Sequence, residues 1–345
     1  MMITMENILI MHTGGWIGDM VLLTPALRSL KNKFPNCKMT MLVLPLVSEL
    51  MSRNPYLDEI ITYDKNKTQK GFQEMRKMAN ELKSRHFDTA IILHPNSVKS
   101  AILAYMSGIP NRIGTKLIGN QFFLTTKIKR RRNIHEIERY LDIISPIVGT
   151  GLDDKLEFWG IEQTDENFAD EVLKDKEESD LIIGLNVSTT WQTKMWRIDR
   201  FAKLAEMLNN QYGATIILTG SKSDIQLGEK ITEFLSGSSE YIINLIGKTT
   251  LWQLGAIIKR CDIYVTCDSG PMHISAGLGT RTVALFGPTD PVRHRPYGYG
   301  HVIVKKDIKC SPCYKRECKY KNSVCMEAIY VNDVMESIRP MIFTN

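Results

Sequence analysis

Residues 262–286 read DIYVTCDSGPMHISAGLGTRTVALF, and their pattern decides the fold. An apolar run at 262–266 passes through small and polar residues into a helix pattern at 272–278, and a second apolar run follows at 282–286. The apolar runs do not alternate with polar residues, so both faces of each strand are expected to be covered. The stretch therefore predicts a strand–helix–strand unit of a parallel sheet.

The same pattern extends along the whole chain. In the first half it predicts strands at 8–11, 39–44, 59–63 and 89–93, with helices at 20–33, 47–53, 72–84, 97–106 and 133–148. In the second half it predicts strands at 181–186, 215–218 and 241–245, with helices at 198–210, 224–235 and 251–260. The acidic stretch 149–180 between them has few large apolar residues and is interpreted as a linker. We predict an α/β protein with two Rossmann-like domains in tandem and a ligand site in the cleft between them.

Length and composition agree with this organisation. The chain has 345 residues, of which 43% are hydrophobic and 24% charged, enough for two domains of about 150 to 175 residues with cores of their own. The first residues lack the features of a signal peptide, and no stretch approaches the roughly 18 apolar residues of a membrane span. We expect a cytoplasmic protein. The net charge of +6 suits either plain solubility or an anionic ligand, and a basic run at 127–132 favours the ligand.

A glycine-rich turn follows the first predicted strand. Its glycines at 14, 15 and 18 do not match Gly-x-Gly-x-x-Gly, and no acidic residue closes the second strand, which argues against a nicotinamide dinucleotide. The turn ends at Asp19, at the start of the next helix. An aspartate there can cap the helix, or its carboxylate can take a proton from an acceptor hydroxyl, and the two roles are compatible.

Two stretches in the second half suit a bound diphosphate. Three hydroxyl residues at 188–190 precede Lys194, which could bind phosphate or form a polar loop with a surface lysine. At 268–273, Gly270 and Pro271 would open a helix whose N-terminus favours an anion. Asp268 would repel phosphate and is better placed to bind sugar hydroxyls. His273 could donate to phosphate or pack in the core.

Taken in order, these motifs resemble the ADP-heptose:lipopolysaccharide heptosyltransferases, glycosyltransferase family 9. The resemblance rests on residues 18–19, 23–27, 188–196, 218–220, 246–249, 268–273 and 284–291. It implies a GT-B fold, which consists of two facing Rossmann-like domains with a C-terminal helix crossing back to the first. The implied divisions are an acceptor-binding domain at 1–165, a donor-binding domain at 181–330, and a helix at 331–345 that packs on the first domain.

The resemblance also implies a reaction and its residues. Heptose would pass from ADP-L-glycero-D-manno-heptose to a lipopolysaccharide inner-core acceptor, with inversion and with no cofactor required for catalysis. Asp19 would be the general base and Lys194 a second catalytic residue. The implied donor-binding residues are Ser188, Thr189, Thr190, Gly220, Asp268, Ser269, Gly270, Pro271, Met272 and His273. A ribose-binding residue among 221–224 stays undecided.

The acceptor is expected to be an anionic glycolipid at the inner membrane surface, which allows peripheral association of the protein with that surface. Gly15, Arg28 and Arg112 are the candidate acceptor-binding residues. No nucleic-acid partner is expected, and the oligomeric state stays open. Three alternatives also stay open: a different nucleotide sugar or a protein or other glycan as acceptor, a GT-B-like epimerase or phosphorylase, and a non-catalytic binding protein.

Four of the seven cysteines lie close together near the C-terminus, at Cys310, Cys313, Cys318 and Cys325. Their spacing allows a structural zinc or iron site with four thiolate ligands. Small buried thiols, or a disulfide formed during purification, are the alternatives.

Overall fold

The computed structural model describes residues 5–94, 97–177, 179–235, 240–320 and 322–343. The chain divides into two compact units, Met1–Lys155 and Leu156–Asn345. Each unit is built around one parallel β-sheet of six strands. The predicted α/β class with two Rossmann-like units is therefore confirmed.

The sheet of the first unit has the strand order β3-β2-β1-β4-β5-β6. Its central strand is fully buried, with Leu9, Ile10 and Met11 without solvent exposure, as expected for a sheet that is covered on both faces. The strands are β1 (Asn7–His12), β2 (Lys38–Val43), β3 (Glu59–Thr62), β4 (Thr89–Ile92), β5 (Asn111–Thr115) and β6 (Thr126–Ile128). The helices are α1 (Ile17–Leu22), α2 (Thr24–Lys33), α3 (Pro45–Ser52), α4 (Phe72–Ser84), α5 (Val98–Met106) and α6 (Glu136–Val148).

The helix predicted at 20–33 is two helices, α1 and α2. Pro25 has no N–H with which to bond the carbonyl of Val21, and the hydroxyl of Thr24 bonds that carbonyl instead, at 2.7 Å. The chain therefore turns at Leu23, which ends α1 and caps α2.

The sheet of the second unit repeats the same topology, in the order β12-β11-β10-β7-β8-β9. Its strands are β7 (Ile182–Asn186), β8 (Thr215–Thr219), β9 (Ile242–Asn244), β10 (Ile263–Cys267), β11 (Arg281–Phe286) and β12 (Val302–Lys305). The helices are α7 (Gln163–Val172), α8 (Ile198–Tyr212), α9 (Ile225–Phe234), α10 (Leu251–Lys259), α11 (Gly270–Leu278), α12 (Pro291–His294), α13 (Val324–Glu327) and α14 (Val331–Phe343). In both sheets the order in which successive strands are added reverses beside the first strand, and folds of this kind bind their ligands at that point.

The predicted linker is largely part of the second unit. It contains α7, which packs on α10 and forms ion pairs from Glu166 to Lys259 at 2.9 Å and to Arg260 at 2.6 Å. The preceding segment also belongs there, since the amide of Phe158 donates to the carbonyl of Gly277 in α11 at 3.1 Å. The division between the units therefore falls at residues 155 and 156, inside the predicted linker 149–180.

The apolar side of the C-terminal helix α14 packs in the core of the second unit. It contacts α8, β11 and β12, and four of its side chains belong to the core of that unit: Val334, Met335, Ile338 and Met341. Residues 344 and 345 of the predicted segment lie outside the described residues. The expected packing of this helix on the first domain stays a prediction. In the described part of the chain, no helix is both long enough and apolar enough to span a bilayer.

Candidate functional site

Three loops meet at the carboxyl ends of β7, β8 and β10 in the second unit. Asn186, the last residue of β7, holds two of them together with its side-chain amide. The amide donates to the carbonyl of Ser188 at 2.8 Å, to Thr266 Oγ1 at 3.1 Å and to Ser269 Oγ at 3.3 Å. Asn186 is absent from the predicted site residues, although an amide at the end of a central strand could have indicated this connecting role.

The helix α11 begins at the same edge of the sheet. Ser269 is its N-cap, Gly270 its first residue, and Pro271 its second residue. The proline ring costs no hydrogen bond there, because the first amides of a helix have no partner within the helix. Met272 and His273 are buried behind the start of the helix. The remaining free amides and the helix dipole make this end suitable for a phosphate group.

A buried ion pair lies in front of this helix. Lys194 Nζ contacts Asp268 Oδ2 at 2.7 Å, and the hydroxyl of Thr289 donates to the same oxygen at 2.7 Å. Only 7% of the Asp268 side chain and 15% of the Lys194 side chain are exposed. The structure therefore brings together two residues that the sequence assigned separately to phosphate and to sugar.

The charge state of Asp268 follows from these neighbours. Burial alone would raise its pKa, but the charges of Lys194 and His294 and the hydrogen bonds from Lys194 and Thr289 hold the pKa below its usual value. Asp268 is thus a carboxylate at neutral pH. An ammonium group has three N–H donors, so Lys194 can hold Asp268 and still bind a phosphate oxygen.

His273 is neutral in this site. Burial is the main cause that lowers its pKa, to about 3, against the opposing effect of Asp268. Its Nδ1 atom is buried and has no hydrogen-bond partner among the described residues. His273 can therefore donate or accept one hydrogen bond but contributes no positive charge to a bound diphosphate.

The hydroxyl run at 188–190 divides into different environments. Ser188 donates to Asp224 Oδ2 at 2.6 Å, and the same oxygen accepts from the backbone and the hydroxyl of Ser221. The hydroxyl of Thr189 is buried without a partner in the described part of the chain, while Thr190 is exposed. Thr189 and Thr190 thus fit the predicted donor contacts better than Ser188, which binds Asp224.

Gly220 closes the turn after β8, where a Cβ atom would lie 3.2 Å from Ile246 Cγ2. The turn therefore packs tightly against Ile246, and a larger residue would push the two apart.

Asp19 lies in the first turn of α1, at the carboxyl end of the first sheet, and is half-buried. The N-cap of this helix is Trp16 rather than Asp19. Before it, Gly14 leaves no room for a side chain, because a Cβ atom would lie 2.8 Å from the ring of His12 and 3.0 Å from that of His94. The packing therefore explains Gly14, and Asp19 is a residue of the first turn rather than the N-cap.

Comparison with known proteins decides the family. The family model described as glycosyltransferase family 9 (heptosyltransferase) matches residues 75–324. The chain belongs to glycosyltransferase family 9. The lipooligosaccharide heptosyltransferase 2 of Campylobacter jejuni is 29% identical over 342 residues, which cover 96% of this chain and 98% of that protein.

Solved structures agree with the fold of this family 9 enzyme. The crystal structure of a family 9 glycosyltransferase from Veillonella parvula has a TM-score of 0.81 at 24% identity, covering 98% of this chain and 97% of that one. The E. coli ADP-heptose lps heptosyltransferase II has a TM-score of 0.75 at 23% identity, covering 98% of both chains. The predicted GT-B fold class is confirmed, and the protein is a glycosyltransferase.

The structure gives protein partners to the two arginines predicted to bind the acceptor of this glycosyltransferase. Arg28 contacts Asp153 at 3.1 Å and the carbonyl of Lys155 at 2.7 Å. Arg112 donates to the backbone carbonyls of residues 109, 110 and 123. Gly15 packs against Leu44. These contacts fix the positions of both arginines, and the acceptor-binding role of Gly15, Arg28 and Arg112 stays a prediction.

The cysteine segment, residues 310–318, packs against the turn at 287–288 and the 3₁₀ turn Gln192–Lys194. Ser311 donates to the carbonyl of Gly287 at 2.6 Å, and the amides of residues 313 and 314 donate to the carbonyl of Pro288. The hydroxyl of Thr193 donates to the carbonyl of residue 315 at 2.8 Å, and the Arg316 guanidinium stacks 5.2 Å from the Trp191 ring. The spacing of the cysteines in the sequence could not predict that this segment supports the neighbouring loops, because most of its contacts are made by backbone atoms.

The four cysteines of the tail are free thiols, and only Cys325 is buried. In the described parts of the chain, no group of three or more His, Cys, Asp or Glu side chains has a geometry that could hold a metal ion. The arrangement therefore gives no geometric support to the zinc or iron site, which stays a prediction for elemental analysis of the purified protein.

Proposed function

We propose that the enzyme transfers heptose from ADP-L-glycero-D-manno-heptose to an inner-core sugar of lipopolysaccharide, with inversion at the anomeric carbon. The observation that carries the proposal is the Lys194–Asp268–Thr289 cluster in front of the start of α11. It combines a cation and free helix amides, which suit a diphosphate, with a buried carboxylate, which suits sugar hydroxyls. Two relatives, the Campylobacter jejuni lipooligosaccharide heptosyltransferase 2 and the E. coli ADP-heptose lps heptosyltransferase II, support the choice of sugar and nucleotide.

The donor would be bound entirely by the second unit. Lys194, the hydroxyls of Thr189 and Thr190, and the first amides of α11 hold the two phosphates, and Asp268 accepts hydrogen bonds from the heptose. Asp224, fixed by Ser188 and Ser221, is our choice for the ribose contact, since its position beyond β8 is set by two loops of the site.

Asp19 of the first unit is the proposed general base. It accepts the proton of the acceptor hydroxyl, whose oxygen attacks the anomeric carbon from the face opposite ADP. The bond between that carbon and the diphosphate oxygen breaks, and its electron pair leaves with ADP. Lys194 and the start of α11 stabilise the charge that develops on the departing diphosphate.

The acceptor is proposed to be an anionic glycolipid, which places the enzyme in the cytoplasm, at the inner face of the inner membrane. The chain's net charge of +6 is consistent with attraction to such a surface.

Heptose transfer can be tested with purified protein, ADP-heptose and the truncated glycolipid from a strain that lacks the gene. We expect a product whose mass is greater by one heptose and whose anomeric configuration is opposite to that of the donor. ADP should raise the melting temperature more than UDP or GDP does. Transfer from a UDP- or GDP-sugar instead, or turnover of the nucleotide sugar without an acceptor, would contradict the proposal.

A further inference from the structure

The first unit contains a cavity of about 290 Å³ that the donor site does not use. It lies at the carboxyl ends of β1, β3 and β4, between the loop after β1 and the starts of α4 and α5. We call it the Lys65 pocket, and the lining residues that matter here are Thr13, Lys65, Phe72, Lys99 and Ser100.

The hydroxyls of the Lys65 pocket are already ordered by one lysine. Lys65 Nζ donates to Thr13 Oγ1 at 2.7 Å. Thr13 contacts Ser100 Oγ at 3.2 Å, and Ser100 contacts Ser97 Oγ at 2.6 Å. The hydroxyls of Thr13, Ser100 and Ser97 therefore form a hydrogen-bonded chain that begins at Lys65. Two N–H groups of Lys65 remain available to the pocket.

The pocket holds two positive charges without a carboxylate. In the part of the chain that the structure describes, neither Lys65 nor Lys99 takes part in a salt bridge, and neither Asp nor Glu lines the cavity. Burial, followed by the charge of Lys99, lowers the pKa of Lys65. An anion between the two ammonium groups would offset their repulsion. Its hydrogen bonds would also replace the water contacts that Lys65 loses on burial.

Apart from Gln69, the remaining wall is mostly apolar. Tyr63 and Met75 line the pocket, and Phe72, whose exposed fraction is 66%, lies at its rim at the first position of α4. A few polar groups set in an apolar, aromatic wall are typical of a site for a small organic ligand. The pocket is thus suited to a ring that carries an oxyanion rather than to a free inorganic ion.

We propose that the Lys65 pocket binds a phosphate or carboxylate group of the acceptor glycolipid, with Lys65 and Lys99 as the cations that hold it. The inference rests on the proposed function, because it requires a glycolipid acceptor. Thr13 belongs to the same turn that leads to Asp19 at the start of α1. An anion fixed here holds the acceptor beside the turn that carries the proposed base.

The test replaces both lysines in the full-length enzyme. Lys65→Met/Lys99→Met should raise the KM for the acceptor glycolipid by at least about tenfold, since each lysine makes a charge-assisted contact, while kcat and the affinity for ADP change by less than about twofold. The matched control is Lys67→Met, which removes an exposed charge from the same loop and should leave the acceptor KM unchanged. An unchanged acceptor KM in the double variant would overturn the proposal.

The source of the anion can be separated by removing the phosphates of the glycolipid chemically. If the pocket binds phosphate, the dephosphorylated acceptor has a high KM with wild type and the double substitution has no further effect. If it binds a carboxylate, the difference between wild type and variant persists. If wild type and the double variant have the same KM for the intact acceptor and the same KM for the dephosphorylated acceptor, the pocket binds neither phosphate nor carboxylate.

Direct binding of the detergent-solubilised glycolipid distinguishes this inference from the proposed function. Weaker binding by the double variant, in the absence of any heptose transfer by wild type, would reject the proposed reaction and support the pocket. Equal binding by wild type and variant, together with normal transfer, would reject the pocket alone.

Discussion

At the residue scale, the buried pair of Lys194 and Asp268 links the stability of the second unit to the proposed donor site. Asp268 keeps a low pKa only because Lys194, Thr289 and His294 offset its burial. Its contribution to stability is present above the unfolded pKa of 3.8 and is lost as the pH falls through the lower folded pKa. At neutral pH the whole contribution is therefore present.

Lys194→Met should destabilise the enzyme by roughly 3–5 kcal/mol at pH 7.5, because it leaves a buried carboxylate without a counterion. Adding Asp268→Asn should restore most of the lost stability, because a neutral amide needs no counterion. Heptose transfer should be abolished in both the single and the double variant. Urea unfolding and the transfer assay measure the two effects. A double variant as unstable as Lys194→Met would show that the pair is not what stabilises this site.

Sequence could name Lys194 and Asp268 but not their contact. Each belongs to a short motif of polar and small residues at a strand end, which is visible in one dimension. Their pairing depends on the strand order that sets β7 beside β10. The same limit applies to Arg28 and Arg112, since the sequence shows their charges but not the carbonyl and carboxylate groups that they contact.

At the element scale, the cysteine segment supports the donor loops through backbone carbonyls and one stacked guanidinium. It binds both the turn at 287–288 and the 3₁₀ turn Gln192–Lys194. Displacing it would therefore move the loop that carries Lys194.

Arg316→Ala should raise the dissociation constant for ADP about two- to fivefold, because it removes the cation that stacks on Trp191 beside Lys194. Lys315→Ala is the matched control. It removes the same charge from a neighbouring position whose carbonyl, not its side chain, contacts Thr193. Calorimetry with ADP gives both values, and equal losses of affinity in the two variants would mean that only net charge matters.

Long apolar patterns in the sequence predicted the strands and helices that they form, whereas short or polar strands and helices were not predicted. The strands around Ile10 and Val265 are buried runs, and their helices are amphipathic. In contrast, β5 reads Asn-Arg-Ile-Gly-Thr and β6 has three residues, so neither has a periodic signal. The helix α7 was interpreted as part of a linker because it attaches to α10 by ion pairs rather than by a wide apolar face.

At the scale of the whole molecule, buried neutral histidines make the protein sensitive to mild acid. Burial is the largest cause that lowers the pKa of His12, of His94 to about 4 and of His273 to about 3. Below pH 6.5 the unfolded chain takes up protons that the folded protein does not. Stability therefore falls as the pH drops from about 6.5, and it continues to fall until the folded pKa values are reached.

Each of these histidines should lower the free energy of unfolding by about 1.4 kcal/mol per pH unit below pH 6.5. The loss between pH 7.5 and pH 5.5, measured by urea unfolding, should be smaller in His273→Asn than in wild type. His86→Asn, at an exposed position with a left-handed backbone that asparagine tolerates, should behave as wild type does. Identical acid sensitivity in all three proteins would show that His273 is not a buried neutral group.

In the proposed mechanism each unit contributes its own part of the reaction, the donor site from the second and the base Asp19 from the first. Asp19→Asn keeps the size and polarity of the side chain and removes only its basicity. Single-turnover transfer from ADP-heptose to the glycolipid tests this directly. We predict a rate lower by a factor of about 100 or more, with the affinity for ADP within about twofold of wild type. Transfer by Asp19→Asn at a rate close to that of wild type would contradict the account.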